Sequence, residues 1–286
     1  MGMVTSKERG KGIGIALGGG GVRGLAHVLA LECLDAVGIK PVAVAGTSMG
    51  AIIGALYAAG HSGAAIKAGI RRHLVSRRDG LKEVLAKRAD LLKWLRLVSL
   101  ETGRGGLLRP DGFLAYLFDA IGVSTFEQLE IPLRVVATDF WTGEQVVFES
   151  GDLLVAVKAS MAIPGIFAPV VKDGRVLVDG GVVNNVPYDT LDDLCDRTIA
   201  VDVSPLRRSC DAELPSAVDA LVGMFDILAD RVTALKMAAH PPTLYLRPPI
   251  ERVPPLEFDK IERVFAQAAP CMAGFRAELT RLAADA

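Results

Sequence analysis

The sequence predicts an α/β fold built on a parallel sheet with helices on its faces. Residues 13–17 form a short apolar run that ends in four glycines, and a helical apolar pattern follows as far as Gly38. Residues 42–45 form a second apolar run that Gly46 ends, and a further helical pattern extends from Met49 to about Ala59. Strands and helices that alternate in this way predict parallel strands joined by crossover helices.

The remainder of the chain predicts more elements of the same domain. The predicted strands cover residues 133–138, 145–148, 175–178, 198–203 and 243–246, and the predicted helices cover 153–162, 214–239 and, with a break at Pro270, the segment after Asp259. Gly143 marks a hairpin turn between the first two of these strands. Apolar side chains recur at helical spacing in residues 61–110 and predict a helical excursion, that is, helices that extend from the α/β core of the domain. This segment is a candidate cover, or lid, for the domain.

Charge is distributed unevenly along the chain. The formal net charge of −1 argues against general nucleic-acid binding. Between Lys67 and Arg109, however, there are twelve Lys and Arg residues and four Asp and Glu residues, a local charge of +8 (12 − 4). Two interpretations of residues 67–109 stay open: a solvated pair of helices, and a peripheral contact with the headgroups of an anionic membrane.

Cysteine usage and hydropathy bear on the cellular compartment. The four cysteines lack metal-ligand spacing, and Cys33 and Cys195 lie in apolar patterns typical of core positions. This usage is typical of a reducing compartment. The N-terminus has no apolar run of the kind that a signal peptide needs, and no uncharged apolar run reaches the length of about 18 residues that spans a bilayer. We therefore expect a cytoplasmic protein, peripheral to a membrane at most.

The stretch GTSMG at residues 46–50 contains the candidate nucleophile, Ser48. An apolar strand leads into it and an apolar helix leads out, which is the setting of a nucleophile elbow. Gly46 and Gly50 leave room for a sharp turn and for close packing of the strand on the helix. At a helix N-terminus the serine oxygen would also lie in a field that favours developing negative charge. The alternative is a serine that only serves the turn.

The glycine run GGGGVRG at residues 18–24 has two interpretations. Its Gly-x-Gly-x-x-Gly spacing fits a dinucleotide-binding loop, but that fingerprint needs a carboxylate at the end of the second strand, where this sequence continues into GTSMG. Backbone amides of a loop without side chains can instead bind the oxyanion of a tetrahedral intermediate. We therefore expect an oxyanion hole at Gly19, Gly20 and Gly21. Arg23 would support this loop or attract an anionic headgroup, and a purely structural ion pair is the alternative.

A serine nucleophile needs a base, and the histidines offer poor candidates. Of the four, only His240 comes late enough in the chain for a Ser–acid–His order, and it directly precedes two prolines at a helix end. His27 lies in the first turn of a helix and is typical of a packed residue. Three residues after the serine stands Ala51, which excludes a Ser-x-x-Lys arrangement.

Asp179 is the remaining candidate base. It ends an apolar strand and precedes two glycines, in VLVDGG, at the kind of strand end where catalytic groups of parallel sheets collect. An ordinary Asp pKa of about 3.9 makes a poor base at neutral pH, and partial burial would raise that pKa. The alternative is an aspartate that only caps a turn.

The motifs GGGGVRG, GTSMG and DGG resemble, in this order, the three signatures of the patatin-like phospholipases. The likeness continues through residues 137–151, 158–169 and 179–187, and the arrangement is similar to the bacterial neuropathy-target-esterase-like branch. Residues 13–205 are therefore the expected catalytic core. Residues 206–286 match no pattern that we can name, and we expect them to complete the same domain with helices and a Pro-rich connection.

The resemblance implies a three-layer α/β/α sandwich with a central, largely parallel sheet. It also implies a catalytic dyad of Ser48 and Asp179, an oxyanion loop at residues 19–21 with Arg23, and no metal or other cofactor. The implied activity is hydrolysis of acyl esters of phospholipids, lysophospholipids or neutral lipids through an acyl-enzyme. Two alternatives stay open, a transacylase that uses the same acyl-enzyme and a lipid-binding regulatory module. The sequence leaves the oligomeric state open.

Overall fold

A computed structural model of the protein describes residues 12–74, 122–206, 214 and 217–284. Most of the predicted helical excursion therefore lies outside the described residues, as does the greater part of the basic segment. The described part of the excursion contains one helix, Gly63–Leu74.

Eight strands within the described residues form one mixed sheet. They are β1 (Ile13–Leu17), β2 (Ala43–Thr47), β3 (Leu133–Asp139), β4 (Gln145–Phe148), β5 (Val170–Lys172), β6 (Arg175–Asp179), β7 (Arg197–Val201) and β8 (Leu244–Leu246). Hydrogen bonds link them in the order β5-β6-β3-β2-β1-β7-β8, and β4 pairs with β3. The β1–β2, β1–β7, β2–β3 and β7–β8 pairs are parallel, and the β3–β4, β3–β6 and β5–β6 pairs are antiparallel. The predicted largely parallel sheet is confirmed, with an antiparallel margin.

Strands β2 and β6 meet end to end on one edge of β3. β2 pairs with residues 133–136 of β3, and β6 pairs with residues 137–139. β4 pairs with residues 135–138, so it overlaps both and must occupy the other edge. Thr47, the last residue of β2, and Asp179, the last residue of β6, therefore pair with two adjacent residues of β3. This register brings the residue that follows Thr47 next to Asp179.

The described residues include seven α-helices and several short 3-10 helices. The α-helices are α1 (His27–Val37), α2 (Met49–Ala58), α3 (Gly63–Leu74), α4 (Leu153–Ser160), α5 (Ala217–Ala239), α6 (Ile261–Ala268) and α7 (Met272–Ala284). The 3-10 helices are Gly21–Ala26, Phe126–Gln128, Gly180–Val182, Tyr188–Leu191, Phe258–Lys260 and Ala269–Cys271. The last of them contains Pro270 and separates α6 from α7, which confirms the predicted break because proline cannot continue the hydrogen bonds of a helix.

The two faces of the sheet are covered differently. The large side chains of β1, such as Ile15 and Leu17, project into an apolar core shared with α1, α2, α6 and α7. The opposite face presents small side chains, Ala16, Ala43, Ala45 and Ala200, which pack against residues 186–195 and Met237 of α5. Helical segments on both faces give the expected three layers. On the second face they lie close to the sheet, because a Cβ at Gly14 would be 2.6 Å from Sγ of Cys195.

The structure differs from the predictions mainly at the ends of elements. β2 continues through Gly46 to Thr47, because Gly46 still pairs with Leu17 of β1 and Val135 of β3. β7 ends at Val201 and α4 at Ser160, each two residues before the predicted end. β5 went unpredicted, since three residues at a sheet margin are too few to show a periodic pattern.

The described part of the basic segment is engaged within the chain. In α3, Nζ of Lys67 lies 2.8 Å from Oε2 of Glu32, and Arg71 donates to both carboxylate oxygens of Glu262 at 3.1 and 3.0 Å. Both cations also lie over the ring of Phe265. The predicted contact with an anionic membrane therefore depends on residues 75–109, which lie outside the described residues. No helix within the described ranges has both the length and the apolar character needed to cross a bilayer.

Gly50→Ala tests the close packing of α2 on β1. A Cβ at position 50 would lie 2.0 Å from the carbonyl oxygen of Leu17, and a backbone atom cannot rotate away. We expect the free energy of unfolding to fall by about 3 kcal/mol or more. Gly274→Ala in α7 is the matched control, because a Cβ there meets no atom within 4 Å and alanine stabilises a helix by about 1 kcal/mol. Equal urea-unfolding midpoints for Gly50→Ala and the wild type would contradict the packing.

Candidate active site

Ser48 occupies a strained turn between β2 and α2. Its φ of 53° and ψ of −122° lie in a region that side-chain-bearing residues rarely adopt. The amide of Ser48 donates to Oγ of Ser160 at 2.8 Å, and that hydroxyl donates to the carbonyl oxygen of Val136 at 2.6 Å. The turn needs close backbone approach, because a Cβ at Gly46 would lie 2.6 Å from Cα of Ala51. The hydroxyl of Ser48 is thereby held at the carboxyl end of the parallel strands.

Asp179 lies beside Ser48 at the end of β6. Its carboxylate is buried, and Oδ1 accepts a hydrogen bond of 2.7 Å from the amide of Gly181. Burial raises the pKa of Asp179 from 3.8 to about 6, against the hydrogen bonds from Gly181 and Ser48, which lower it. The carboxylate is therefore ionised at neutral pH and is a stronger base than an exposed aspartate.

The glycine loop after β1 runs directly past Ser48. A Cβ at Gly19 would lie 3.2 Å from Cβ of Ser48, so this position tolerates only glycine without a shift of the loop. The amide of Gly19 donates to the carbonyl oxygen of Asn185 at 3.0 Å. Within the described part of the chain, the amides of Gly20 and Gly21 have no acceptor. Gly21 also has a φ of 57°, and a Cβ there would collide with the carbonyl oxygen of Pro255 at 2.1 Å.

Arg23 forms a buried ion pair at the back of this loop. Its side chain is 2% exposed, Nη2 lies 2.6 Å from Oδ1 of Asp226 on α5, and Nη1 donates to the carbonyl oxygen of Val253 at 3.3 Å. This ion pair joins the glycine loop to α5. The guanidinium keeps one further donor, because Nε is buried and has no partner among the described residues. A Cβ at Gly20 would lie 3.6 Å from Nε, so this donor faces the glycine loop.

His27 supports the glycine loop. Its Nε2 lies 2.7 Å from the carbonyl oxygen of Gly18, which can only accept, so Nε2 carries the proton. Burial lowers the pKa of His27 to about 4 despite the raising effects of that hydrogen bond and of Asp202, so the ring is neutral at pH 7. His240 instead pairs with Asp192 at the surface. Of the histidine side chains that the structure describes, none hydrogen-bonds to Ser48 or Asp179, in agreement with the prediction that His27 is packed.

Two functional neighbours escaped sequence reasoning. Ser160, at the end of α4, fixes the strained amide of Ser48. Asn185 bridges the elements around the loop: its carbonyl oxygen accepts from the amide of Gly19, and its Nδ2 donates to the carbonyl oxygen of Gly19 at 3.3 Å. Both residues lie in stretches that resemble the family, but neither has a spacing signal that assigns it a role.

Ser48 and Asp179 line a recess of about 60 Å³. Its polar lining also includes residues 19–21, Arg23, Asn185 and Asp226. Its apolar lining consists of Ile163, Val222, Phe225, Ala229 and Pro255. Polar and apolar groups in one recess match the two parts of an acyl ester, its ester group and its chain. Among the described residues, no three His, Cys, Asp or Glu side chains converge as metal ligands.

Comparisons with known proteins agree on one family. Residues 15–192 match the family model of the patatin-like phospholipases. The chain is 35% identical over 229 residues to the uncharacterized NTE family protein Rv1063c of Mycobacterium tuberculosis, which covers 77% of this chain and 59% of that protein. It is 28% identical over 284 residues to lysophospholipase NTE1 of Pyricularia oryzae, which covers 89% of this chain and 18% of that protein.

Among solved structures, VipD from Legionella pneumophila aligns over 93% of this chain and 67% of its own, with a TM-score of 0.44 and 16% identity. The family model matches more than half of this chain, so the chain belongs to the patatin-like phospholipase family. It spans less than two thirds of the length of the curated relatives named above.

Asp179→Asn tests the energetic consequence of burying the carboxylate. The folded pKa of about 6 is above the unfolded value of 3.8, so the folded state favours the protonated carboxyl, and this contribution is lost as pH rises through about 6. At about 1.4 kcal/mol per pKa unit, the ionised group costs about 3 kcal/mol above that pH. Asparagine does not ionise and keeps the Oδ1 acceptor for Gly181. We therefore expect the variant to be more stable than the wild type by about this amount at pH 8.

The difference between Asp179→Asn and the wild type should shrink as pH falls from 7 towards 4, where Asp179 becomes protonated. Urea unfolding across this range measures it. A stability difference that does not vary with pH, or a variant that is less stable at pH 8, would contradict the raised pKa.

Proposed function

We propose that the protein is a serine-dependent lipid acyl hydrolase, which cleaves carboxylic esters of phospholipids or lysophospholipids through an acyl-enzyme on Ser48. One observation carries the proposal: the side chain of Ser48 lies beside the buried carboxylate of Asp179, next to a glycine loop in which the amides of Gly20 and Gly21 have no acceptor among the described residues. Membership of the patatin-like phospholipase family supports the lipid substrate. The relative named a lysophospholipase makes a lysophospholipid the first substrate to test.

In the first step, the carboxylate of Asp179 accepts the proton of the Ser48 hydroxyl while Oγ attacks the ester carbonyl carbon. The C=O bond opens to a tetrahedral oxyanion, which collapses to the acyl-serine. The leaving alcohol takes the proton back from Asp179. A carboxyl with a pKa of about 6 suits both halves of this step, because it is ionised before the attack and is acidic enough to return the proton.

The oxyanion needs donors that are fixed before it forms. The predicted donors were the amides at Gly19, Gly20 and Gly21, with Arg23. The amide of Gly19 already donates to Asn185, so we assign the oxyanion to the amides of Gly20 and Gly21. Arg23 also lines the recess, and its buried Nε, which has no partner among the described residues, adds a cationic donor near this position. Gly19 then serves mainly to let the loop pass close to Ser48.

In the second step, water attacks the acyl-serine, and Asp179 accepts the proton of that water and returns it to Oγ of Ser48. The products are a fatty acid and free enzyme. The apolar lining of the recess supports an acyl-enzyme on Ser48, because it offers a place for the acyl chain between the two steps. A lysolipid acceptor in place of water would give the transacylase reaction.

Ser48→Ala and Asp179→Asn should each lower kcat for lysophosphatidylcholine and for p-nitrophenyl butyrate by at least about 10⁴-fold, because each removes one half of a unit that acts together. Ser150→Ala, which changes an exposed serine outside the recess, is the matched control and should keep wild-type turnover. Turnover near the wild-type level in either dyad variant would refute the mechanism.

Product analysis separates the remaining alternatives in the same samples. Free fatty acid in amounts equal to the lost lysolipid supports hydrolysis, and diacyl lipid as the main product would make the protein a transacylase. A wild-type protein with no turnover and no labelling of Ser48 by a fluorophosphonate would instead indicate a lipid-binding module.

The pH dependence of kcat/KM should follow the ionisation of Asp179. Only the carboxylate can accept the serine proton, so kcat/KM should fall about tenfold per pH unit below about pH 6 and stay level above it. Initial rates with p-nitrophenyl butyrate between pH 4.5 and 8 would measure this, with Asp179→Asn as the reference that should have no such limb. An ionisation near pH 7 that is lost on alkylation of histidine would contradict an aspartate base.

A further inference from the structure

Helix α5 turns three of its charged side chains inward. Its inward ion pairs are Asp226 with Arg23 (2.6 Å), Asp230 with Arg247 (2.7 Å) and Lys236 with Asp189 (2.5 Å). These three pairs fix the helix to the glycine loop, to the segment after β8 and to the segment after Asn185. This orientation is the reverse of that in an ordinary surface helix, which buries its apolar side and exposes its charges.

The outward side of α5 is apolar. Its exposed side chains are Met224 (50% exposed), Ile227 (45%), Leu228 (56%), Val232 (37%) and Leu235 (74%), and we call these five the outer face of α5. Their spacing places them together on one side of the helix. Among the exposed side chains that the structure describes on α5, Arg231 is the one that carries a charge. An apolar face of this length calls for a partner.

The active-site recess lies on the other side of the same helix from the outer face of α5. Val222, Phe225 and Ala229 of the same helix line that recess, and they alternate along α5 with the residues of the outer face. One side of α5 therefore lines the recess with the proposed site of ester hydrolysis, and the other side is exposed to solvent. A lipid that leaves a membrane or micelle at the outer face is separated from the recess by the width of one helix.

The turn between β3 and β4 adds exposed aromatic side chains near the same helix. Phe140 is 50% exposed and Trp141 is 77% exposed. At the foot of this turn, Gln145 accepts a hydrogen bond of 2.7 Å from Nδ2 of Asn184, whose Oδ1 accepts one from Lys236 of α5. The turn and the helix thus flank one loop. Trp is a side chain that favours the boundary between lipid and water.

We propose that the outer face of α5 docks onto a lipid surface, which places the active-site recess one helix away from the boundary from which substrate is taken. This inference rests on the proposed lipid hydrolase function. The apolar side chains enter the acyl region, and Arg231 extends its guanidinium to the phosphate groups, as long cationic side chains do at such boundaries. The inward ion pairs keep the helix on the protein while its outer face is in lipid.

A second copy of the chain fits the same face less well. An isologous contact of α5 with itself places identical residues near the two-fold axis. Arg231 lies in the middle of the outer face, so such a contact would bring two like charges together in an apolar interface. A lipid surface places phosphate oxygens opposite that charge instead.

The double variant Leu228→Glu with Leu235→Glu tests the docking surface. Glutamate keeps the helix propensity of leucine but resists transfer into lipid. We expect co-sedimentation with phosphatidylcholine vesicles to weaken by at least about tenfold, since two exposed leucines are lost from the contact. Hydrolysis of lysophosphatidylcholine in those vesicles should fall in parallel, while turnover of the monomeric ester p-nitrophenyl butyrate should stay at the wild-type level. Val42→Glu, at an exposed apolar position just before β2 and at the opposite end of that strand from Ser48, should change neither reading.

The single variants Leu228→Gln and Leu235→Gln guard against misfolding, since each should lose an intermediate part of the vesicle binding with an unchanged thermal unfolding midpoint. Unchanged vesicle binding in the double variant would overturn the proposal. Vesicle binding that high salt abolishes and that the double variant retains would also overturn the proposal, because such a result assigns the contact to the basic residues 67–109. A wild-type dimer in sedimentation velocity that the double variant dissociates, with no change in vesicle binding, would assign the face to a second copy.

Failure of the proposed function has a different signature. A wild-type protein that binds vesicles through α5 but does not hydrolyse p-nitrophenyl butyrate would retain the docking surface and refute the hydrolase. A wild-type protein that hydrolyses p-nitrophenyl butyrate but binds vesicles no better than the double variant would retain the hydrolase and refute the docking surface.

Discussion

The backbone carbonyl of Val136 is the point on which the site depends. Its oxygen accepts a hydrogen bond from the hydroxyl of Ser160, and that hydroxyl oxygen in turn accepts a hydrogen bond from the amide of Ser48. Gly180 passes so close to the same oxygen that a Cβ there would lie 2.2 Å away. Two strands that run in opposite directions thus end around one peptide group of β3. Ser48 and Asp179, which are far apart in the chain, are neighbours because the sheet leaves no other place for either strand to end.

Holding these two residues together requires local conformations that oppose folding. The backbone at Ser48 is strained, and the carboxylate of Asp179 loses its hydration on burial. Neither feature would persist in a flexible loop. Here each lies at the end of a strand in a sheet that packs on a large apolar core, so the whole domain resists their relaxation. Strained conformations and shifted pKa values of this kind are features that function, rather than stability, selects.

Local sequence patterns predicted much of the fold and the candidate dyad, for identifiable reasons. A strand that leads through GTSMG into a helix is a short-range signal, so Ser48 could be found without tertiary information, and Asp179 followed from its position at a strand end. The partners of these residues could not be found in the same way. The contact of Ser160 with Ser48 spans 112 positions, and the contact of Arg23 with Asp226 spans 203. Only the packed sheet and helix bring such residues together.

The alanine face of the sheet sets limits on how the protein can vary. Ala16, Ala43, Ala45 and Ala200 are fully buried beneath residues 186–195, where no larger side chain has room. The core on the other face is rich in branched Ile, Leu and Val side chains, which can exchange volume with one another. Over evolutionary time, the two faces should therefore diverge at different rates. The branched face can drift by paired exchanges, whereas the alanine face should admit little beyond Gly, Ala and Ser, because any increase in size there would lift Asn185 away from the glycine loop.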